Sequence, residues 1–174
     1  MSIKDKIGKC LKEGKKGERH KGLKKIDISE EDIKGYLNKA VHNFKAMTEF
    51  QKIGFSDWSA SAAFYCLYHC LSALLTKEGL ESRNQSCTFA YIEDMIEKKK
   101  ISLTKKELKE IFDKDVTEDL GHSKMILDIR ENMQYSIKTN LENKEFIELK
   151  ERTKKLFDKM RQDIESKFMY RQLR

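Results

Sequence analysis

Apolar residues recur at steps of three and four along most of the chain, the spacing that lines one face of an α-helix. Ile33, Leu37, Ala40, Phe44 and Met47 form one stripe that runs on to Ile53. Phe89, Ile92 and Ile96 form a second, Met125, Ile126, Ile129, Met133 and Ile137 a third, and Phe146, Leu149, Leu156, Phe157, Met160 and Ile164 a fourth. Boundary signals agree with these stripes. Ser29 precedes Glu30, Glu31 and Asp32, which gives a hydroxyl acceptor for the first free N–H groups and acidic charge beside the positive end of the helix dipole. Gly54 can supply the left-handed stop. Thr104 and Glu107 have the capping-box spacing for a short helix ending near Asp113. Gly121 interrupts the chain before the third stripe, whose helix starts near His122. The last helix starts near Asn143 and is expected to run to the end of the chain.

Between the first two stripes lies a segment of a different kind. From Trp58 to Thr76 nineteen residues carry no formal charge, in a chain that is 37% charged. Ser56 opens this helix and Gly79 ends it. Roughly 18 apolar residues suffice to cross a bilayer. Here Ser59, Ser61, Tyr65, Tyr68, His69 and Ser72 would all need partners in lipid, and Asp57 and Lys77 close the two ends. The better reading is the central helix of a water-exposed bundle, apolar on nearly every side, with Trp58, Tyr65 and Tyr68 in the core rather than serving as base-stacking surfaces. His69 is then either a core imidazole satisfied by one partner or a base aimed into a site.

Four long helices, short connections and further short helices make an all-α chain, an antiparallel up-and-down four-helix bundle with additional short helices. The absence of proline and the abundance of Lys, Glu, Leu and Ile support that class. At 174 residues the chain suits one domain, residues 26–174, preceded by an arm, residues 1–25. Ile3, Ile7, Cys10 and Leu11 give the arm a short amphipathic helix. The stretch EGKKGERHKG, with three of the chain's eight glycines, reads as a flexible basic linker.

Net charge sharpens that division. The formal charge is +7, and residues 1–25 carry all of it, since the rest balances 26 basic against 26 acidic side chains. Lys15, Lys16 and Arg19 are therefore candidate contacts to RNA phosphates, the alternative being a solvated terminus. Cys10, Cys66, Cys70 and Cys87 lack the paired spacing of a disulfide framework and read as buried small residues. Cys66, His69 and Cys70 share one helical turn, but no second ligand pair accompanies them, so no metal is expected. The start MSIKDKIGKCLKEGKK has no apolar core of signal-peptide length. A cytoplasmic protein with no membrane segment is the expectation.

No Gly-rich phosphate loop, nucleophile elbow or nucleic-acid module is visible, and no cofactor is expected. The order DWSASAAFYCLYHCLSALLTKEGLESRNQSCTFAYIEDMI, followed some way on by DIRENMQYS, resembles the HEPN family of small helical proteins over about residues 30–165. Its most specific marks are Trp58, Tyr65, Tyr68-His69, Ala73-Leu74-Leu75, Gly79, and Arg130 followed by Tyr135. The resemblance implies an up-and-down four-helix bundle that forms a homodimer. It also implies an RNA or nucleotide function, often as the toxin of a toxin–antitoxin or defence pair whose partner is a small nucleotidyltransferase. Many members are metal-independent ribonucleases that use an Arg-x(4 to 6)-His motif on the late helix.

Arg130 matches the arginine of that motif, but the fifth, sixth and seventh residues beyond it are Tyr135, Ser136 and Ile137, and none is His. Metal-free RNA cleavage needs a cation for the phosphorane and a group that moves a proton near neutral pH. Arg130 can supply the first by bidentate contact, or it can form an ion pair with a neighbouring helix. Tyr135 and His69 are the candidates for the second. A phenol of pKa about 10 is a poor base, and at about 100° per residue Tyr135 lies about 140° round the helix from Arg130. Arg83 and Asn84, after the central helix, can bind a phosphate or base edge or simply cap a loop. A purely structural interaction protein remains the third reading.

Overall fold

In a computed structural model that describes residues 2–17, 20–111 and 125–166, the stripes become helices at nearly the expected limits. They are α1 (Ile3–Glu13), α2 (Glu30–Lys52), α3 (Ser56–Lys77), α4 (Gln85–Glu97), α5 (Lys105–Ile111), α6 (Met125–Tyr135) and α7 (Asn143–Glu165). Ser29 caps α2 by accepting from the Asp32 N–H at 3.1 Å. Gly54 and Gly79 take positive φ of 83° and 74° after α2 and α3, the left-handed geometry that costs other residues energy. Thr104 and Glu107 exchange the reciprocal bonds of a capping box at 2.9 and 3.2 Å. The residues around Gly121 and His122, and those beyond Ser166, lie outside the described residues.

The fold is all-α in class, and α3 is its packing centre. It meets α2, α4, α5, α6 and α7. Phe64, Leu67, Leu71, Leu74 and Leu75 of α3 are buried, as are Ile33 and Met47 of α2, Ile126 of α6, and Leu149, Leu156, Met160 and Ile164 of α7. Ala60 and Ala63, also buried, keep the α2–α3 hairpin close, and Ser59 Oγ donates to the Met47 carbonyl at 2.8 Å across it. Among the described residues no helix is long and apolar enough to cross a membrane.

The uncharged helix is not enclosed on every side. Trp58 and Tyr65 are 57% and 42% exposed, and Ser61, Tyr68, His69 and Ser72 are half-buried. These residues follow one another at steps of three, four and seven, so they make a single uncovered stripe. That corrects the core assignment of Trp58 and Tyr65. A stripe of tyrosine, serine and histidine keeps polar tips for water while its rings lie on the helix. Ser56 opens α3 as expected, and its Oγ also accepts from the Leu141 N–H at 2.7 Å and so fixes the approach to α7.

The far side of the bundle is tied by charge. Glu110 of α5, almost fully buried, accepts two bonds of 2.6 Å from Arg152 of α7. Lys159 and Glu107 meet at 2.7 Å. At the end of α7, Lys77 Nζ donates to the carbonyls of Asp163 and Ile164 at 2.7 and 2.6 Å, serving groups that have no partner within the helix. The third stripe extends less far than its spacing implies. The helix stops at Tyr135 and Ile137 stands fully exposed.

The arm departs most from expectation. Residues Leu23–Lys25 form β1 and Leu80–Ser82 form β2, an antiparallel ribbon in which Lys24 faces Glu81. Neither strand was legible as one. Cys10 and Cys87 are joined in a disulfide, both side chains buried, which corrects the reading of four free cysteines. The pairing spans 77 positions, far outside any local spacing rule. Helix α1 thus lies against α4, and the chain turns back tightly beside it. A side-chain carbon on Gly14 would stand 1.7 Å from the Leu23 carbonyl oxygen, and one on Gly22 would stand 2.2 Å from that of Cys10. The stretch taken for a linker is built around these two glycines.

Candidate functional site

Arg130 projects from α6 onto α3, where its guanidinium lies 4.1 Å from the centre of the Phe64 ring. Phe64 is fully buried. Tyr65 meets it edge-on at 5.3 Å and Tyr68 stacks on it at 5.8 Å. A cation over an aromatic face is held by the ring quadrupole, worth about 0.5 to 2 kcal/mol. Such a seat fixes the plane of the guanidinium and leaves its edge N–H donors for an acceptor such as phosphate. Among the described residues no carboxylate pairs with Arg130.

His69 lies one turn further along α3, within the same ring system. Its imidazole stacks on Tyr36 of α2 at 6.2 Å and meets Tyr65 and Tyr68 at 6.3 and 6.4 Å. Nδ1 is buried and has no hydrogen-bond partner among the described residues. The half-buried ring with an unpaired nitrogen does not match the expectation of a core imidazole satisfied by one partner. Burial, and after it the Lys39 ammonium, lower the proton affinity of His69 below its ordinary value, so the ring is neutral at pH 7. Tyr36 and Tyr68 are pushed the other way, chiefly by burial, and stay protonated. Tyr68 also shares a 3.2 Å hydrogen bond with Thr88 of α4, which anchors the array from below.

Beside Tyr36 a cavity of about 570 Å³ opens between α2 and the ribbon, lined in part by Glu31, Asp32, Lys39, Thr76 and Glu81. Its carboxylates disfavour phosphate. Arg83 donates to Glu81 at 2.9 Å on the rim of this region, so its charge is already engaged. Asn84 is the N-cap of α4, its Oδ1 accepting from the Cys87 N–H at 3.1 Å. Cys66 and Cys70 are free and buried. Burial raises the Cys66 thiol to about 12 and Cys70 well above its ordinary value, so neither supplies a thiolate.

Tyr135 ends α6 with its ring 81% exposed. Because α6 is continuous through that residue, the structure does not bring Tyr135 to Arg130. Lys15 and Lys16 follow the end of α1, and Lys16 pairs with Glu13 at 2.7 Å. Arg19 lies outside the described residues. Of the candidates, Arg130 and His69 alone share the aromatic array. Sequence reading missed Phe64 as the seat of the arginine and Tyr36 as the partner of the imidazole. Phe64 carried no signal beyond its place in the apolar helix, whereas Tyr36 adjoins Leu37 of the α2 stripe and was open to notice.

No curated protein matches the chain. A scan against protein-family models matches residues 33–163, from the start of α2 to nearly the end of α7, to the HEPN domain.

Proposed function

Since the chain belongs to the HEPN domain family, we propose that it is a helical module that binds RNA or a nucleotide through the Arg130 and His69 face, as one part of a toxin–antitoxin or defence pair with a nucleotidyltransferase partner. The observation that carries this reading is the guanidinium of Arg130 held over Phe64, next in line to the half-buried ring of Tyr68 and a neutral imidazole. Such a surface offers a fixed cation for phosphate and aromatic faces for unstacked bases. In this reading α2, α3, α6 and α7 are the four up-and-down members of the bundle. Two chains pair through the Trp58–Tyr65 end of the uncovered α3 stripe, which leaves its His69 end open beside Arg130, and the protein works in the cytoplasm.

The test is binding of single-stranded RNA against salt, for the native protein and for Arg130→Ala. Affinity that falls with salt and drops about tenfold or more in the variant supports the assignment. Equal affinity in both proteins places the contact elsewhere.

His69 favours an active ribonuclease as the second reading. A neutral imidazole nitrogen is what a general base requires, and with Nδ1 buried that nitrogen is Nε2. It would take the proton of the ribose 2′-hydroxyl as that oxygen attacks phosphorus, with Arg130 stabilising the phosphorane. The P–O5′ bond then breaks and the departing oxygen takes a proton, leaving a 2′,3′-cyclic phosphate and a 5′-hydroxyl. Tyr135 has no place in this scheme, being remote from Arg130.

A further inference from the structure

A second cavity, of about 730 Å³, lies outside the family-matched residues, between the end of α1 and β1. Leu11 and Leu23 give it apolar lining, Gly14 and Gly17 line it with bare backbone, and Lys15, Lys24 and Lys25 complete the described residues around it. A space of that size holds a small organic molecule.

Three features separate it from a chance dent with lysines on the rim. Among the described residues no carboxylate pairs with Lys15, Lys24 or Lys25, although the adjacent Lys16 is paired. The second is strand register. Bonds from Ile26 N to Gly79 O and from Arg83 N to Gly22 O make Lys24 and Glu81 the hydrogen-bonded pair, so Leu23 and Lys25 turn their peptide groups away from β2. The outward Leu23 carbonyl faces Gly14, which places the open edge of β1 toward α1 and adds the Lys25 N–H as a donor on that side. Third, the walls are preformed. The disulfide at Cys10 holds α1 one turn before Gly14, and the close backbone crossing at Gly14 and Gly22 admits no larger residue. Fixed walls avoid the ordering cost that a mobile arm would incur on binding.

The end of α1 carries partial negative charge, which one ammonium offsets. Lys24 and Lys25 add further positive charge to the lining. A net cationic rim over an apolar floor suits a ligand with an anionic group at one end and an apolar or aromatic body at the other, and tetrahedral phosphate accepts several amine and amide donors at once. We infer that the cavity between α1 and β1 binds an organic phosphate monoester, its body on Leu11 and Leu23 and its phosphate among Lys15, Lys24 and Lys25. This goes beyond the RNA surface at Arg130, and it gives Lys15 a role in a built pocket in place of one in a charged tail.

The probe is adenosine 5′-monophosphate, titrated into the full-length oxidised protein while amide shifts of Gly14 and Gly17 are followed, with adenosine and inorganic phosphate alone as controls. The expected result is saturable binding that shifts both glycines, is at least tenfold tighter than either control, and whose shifts at Gly14 and Gly17 need at least tenfold more ligand in Lys24→Ala/Lys25→Ala. Absence of saturable shifts at the two glycines, equal binding of adenosine, or glycine shifts unaltered in the lysine variant each overturns the proposal. The RNA reading stands or falls separately, on Arg130.

Discussion

The guanidinium of Arg130 lies over the buried ring of Phe64, 4.1 Å from its centre, so the cation on which the proposed function rests is positioned by an aromatic residue of the central helix. Phe64→Leu keeps the apolar volume of the core and removes the seat. The expected outcome is a fold that survives, with thermal stability lowered by about 1 to 2 kcal/mol, and RNA affinity reduced several-fold although Arg130 is intact. Circular dichroism and RNA titration on the same sample check both halves.

His69 links pH to stability with a definite sign. Its folded-state proton affinity is depressed, so the unfolded chain binds the proton more readily and stability is lost as pH falls below the ordinary histidine value of about 6.5. His69→Gln, also uncharged, should flatten this part of the stability curve. Chemical denaturation at a series of pH values from 7.5 to about 5 measures the slope in both proteins. An unchanged slope in the variant would assign the effect to another group.

Reduction of the Cys10–Cys87 disulfide should free α1 from α4. The bond closes a loop of 77 positions, for which chain entropy gives about 4 kcal/mol. A dithiol should therefore lower Tm and expose the segment around Lys12 to trypsin, while the α2–α7 body stays folded. Thiol trapping in freshly opened cells also bears on compartment, because a reducing cytoplasm keeps most such pairs open.

Trp58 is the chain's one tryptophan and is 57% exposed on the uncovered α3 stripe. Pairing of two chains through that stripe would bury it. Dilution should then red-shift its emission as the dimer dissociates, and Tyr65→Ala should raise the dissociation constant about tenfold, as loss of a central interface aromatic does. Emission independent of concentration, with a monomer in sedimentation, would remove the stripe from the dimer model.

Glu110 and Arg152 give a fifth test, of the scaffold alone. Glu110 is 5% exposed and bound through both oxygens, so Glu110→Ala leaves Arg152 without its partner. The expected loss is about 3 kcal/mol, read from denaturation midpoints, with RNA binding unchanged under conditions where the variant is folded.

The helices were legible because their signals are local. The α2 stripe, the Ser29 cap, the glycines at 54 and 79 and the Thr104–Glu107 box each act within a few residues, and each appears where spacing placed it. What escaped depends on partners distant in sequence. Cys10 meets Cys87, Leu23–Lys25 meets Leu80–Ser82, and Gly14 meets Leu23 only after the arm folds back, and no periodicity encodes these meetings. The uncharged helix misled for a related reason. Its composition implied enclosure, yet whether Trp58 and Tyr65 are covered is decided by how many helices surround α3. At the site, Arg130 and His69 were visible as residue types, whereas Phe64 and Tyr36, which position them, look like any other aromatic on an apolar stripe.

The most direct test of the central claim is RNA affinity of the purified protein in excess chelator, measured beside Arg130→Ala and His69→Gln with cleavage products followed in the same tubes. The account predicts salt-dependent binding that Arg130→Ala weakens at least tenfold, with any 2′,3′-cyclic phosphate product lost in both variants. Binding and products indifferent to Arg130 would contradict it.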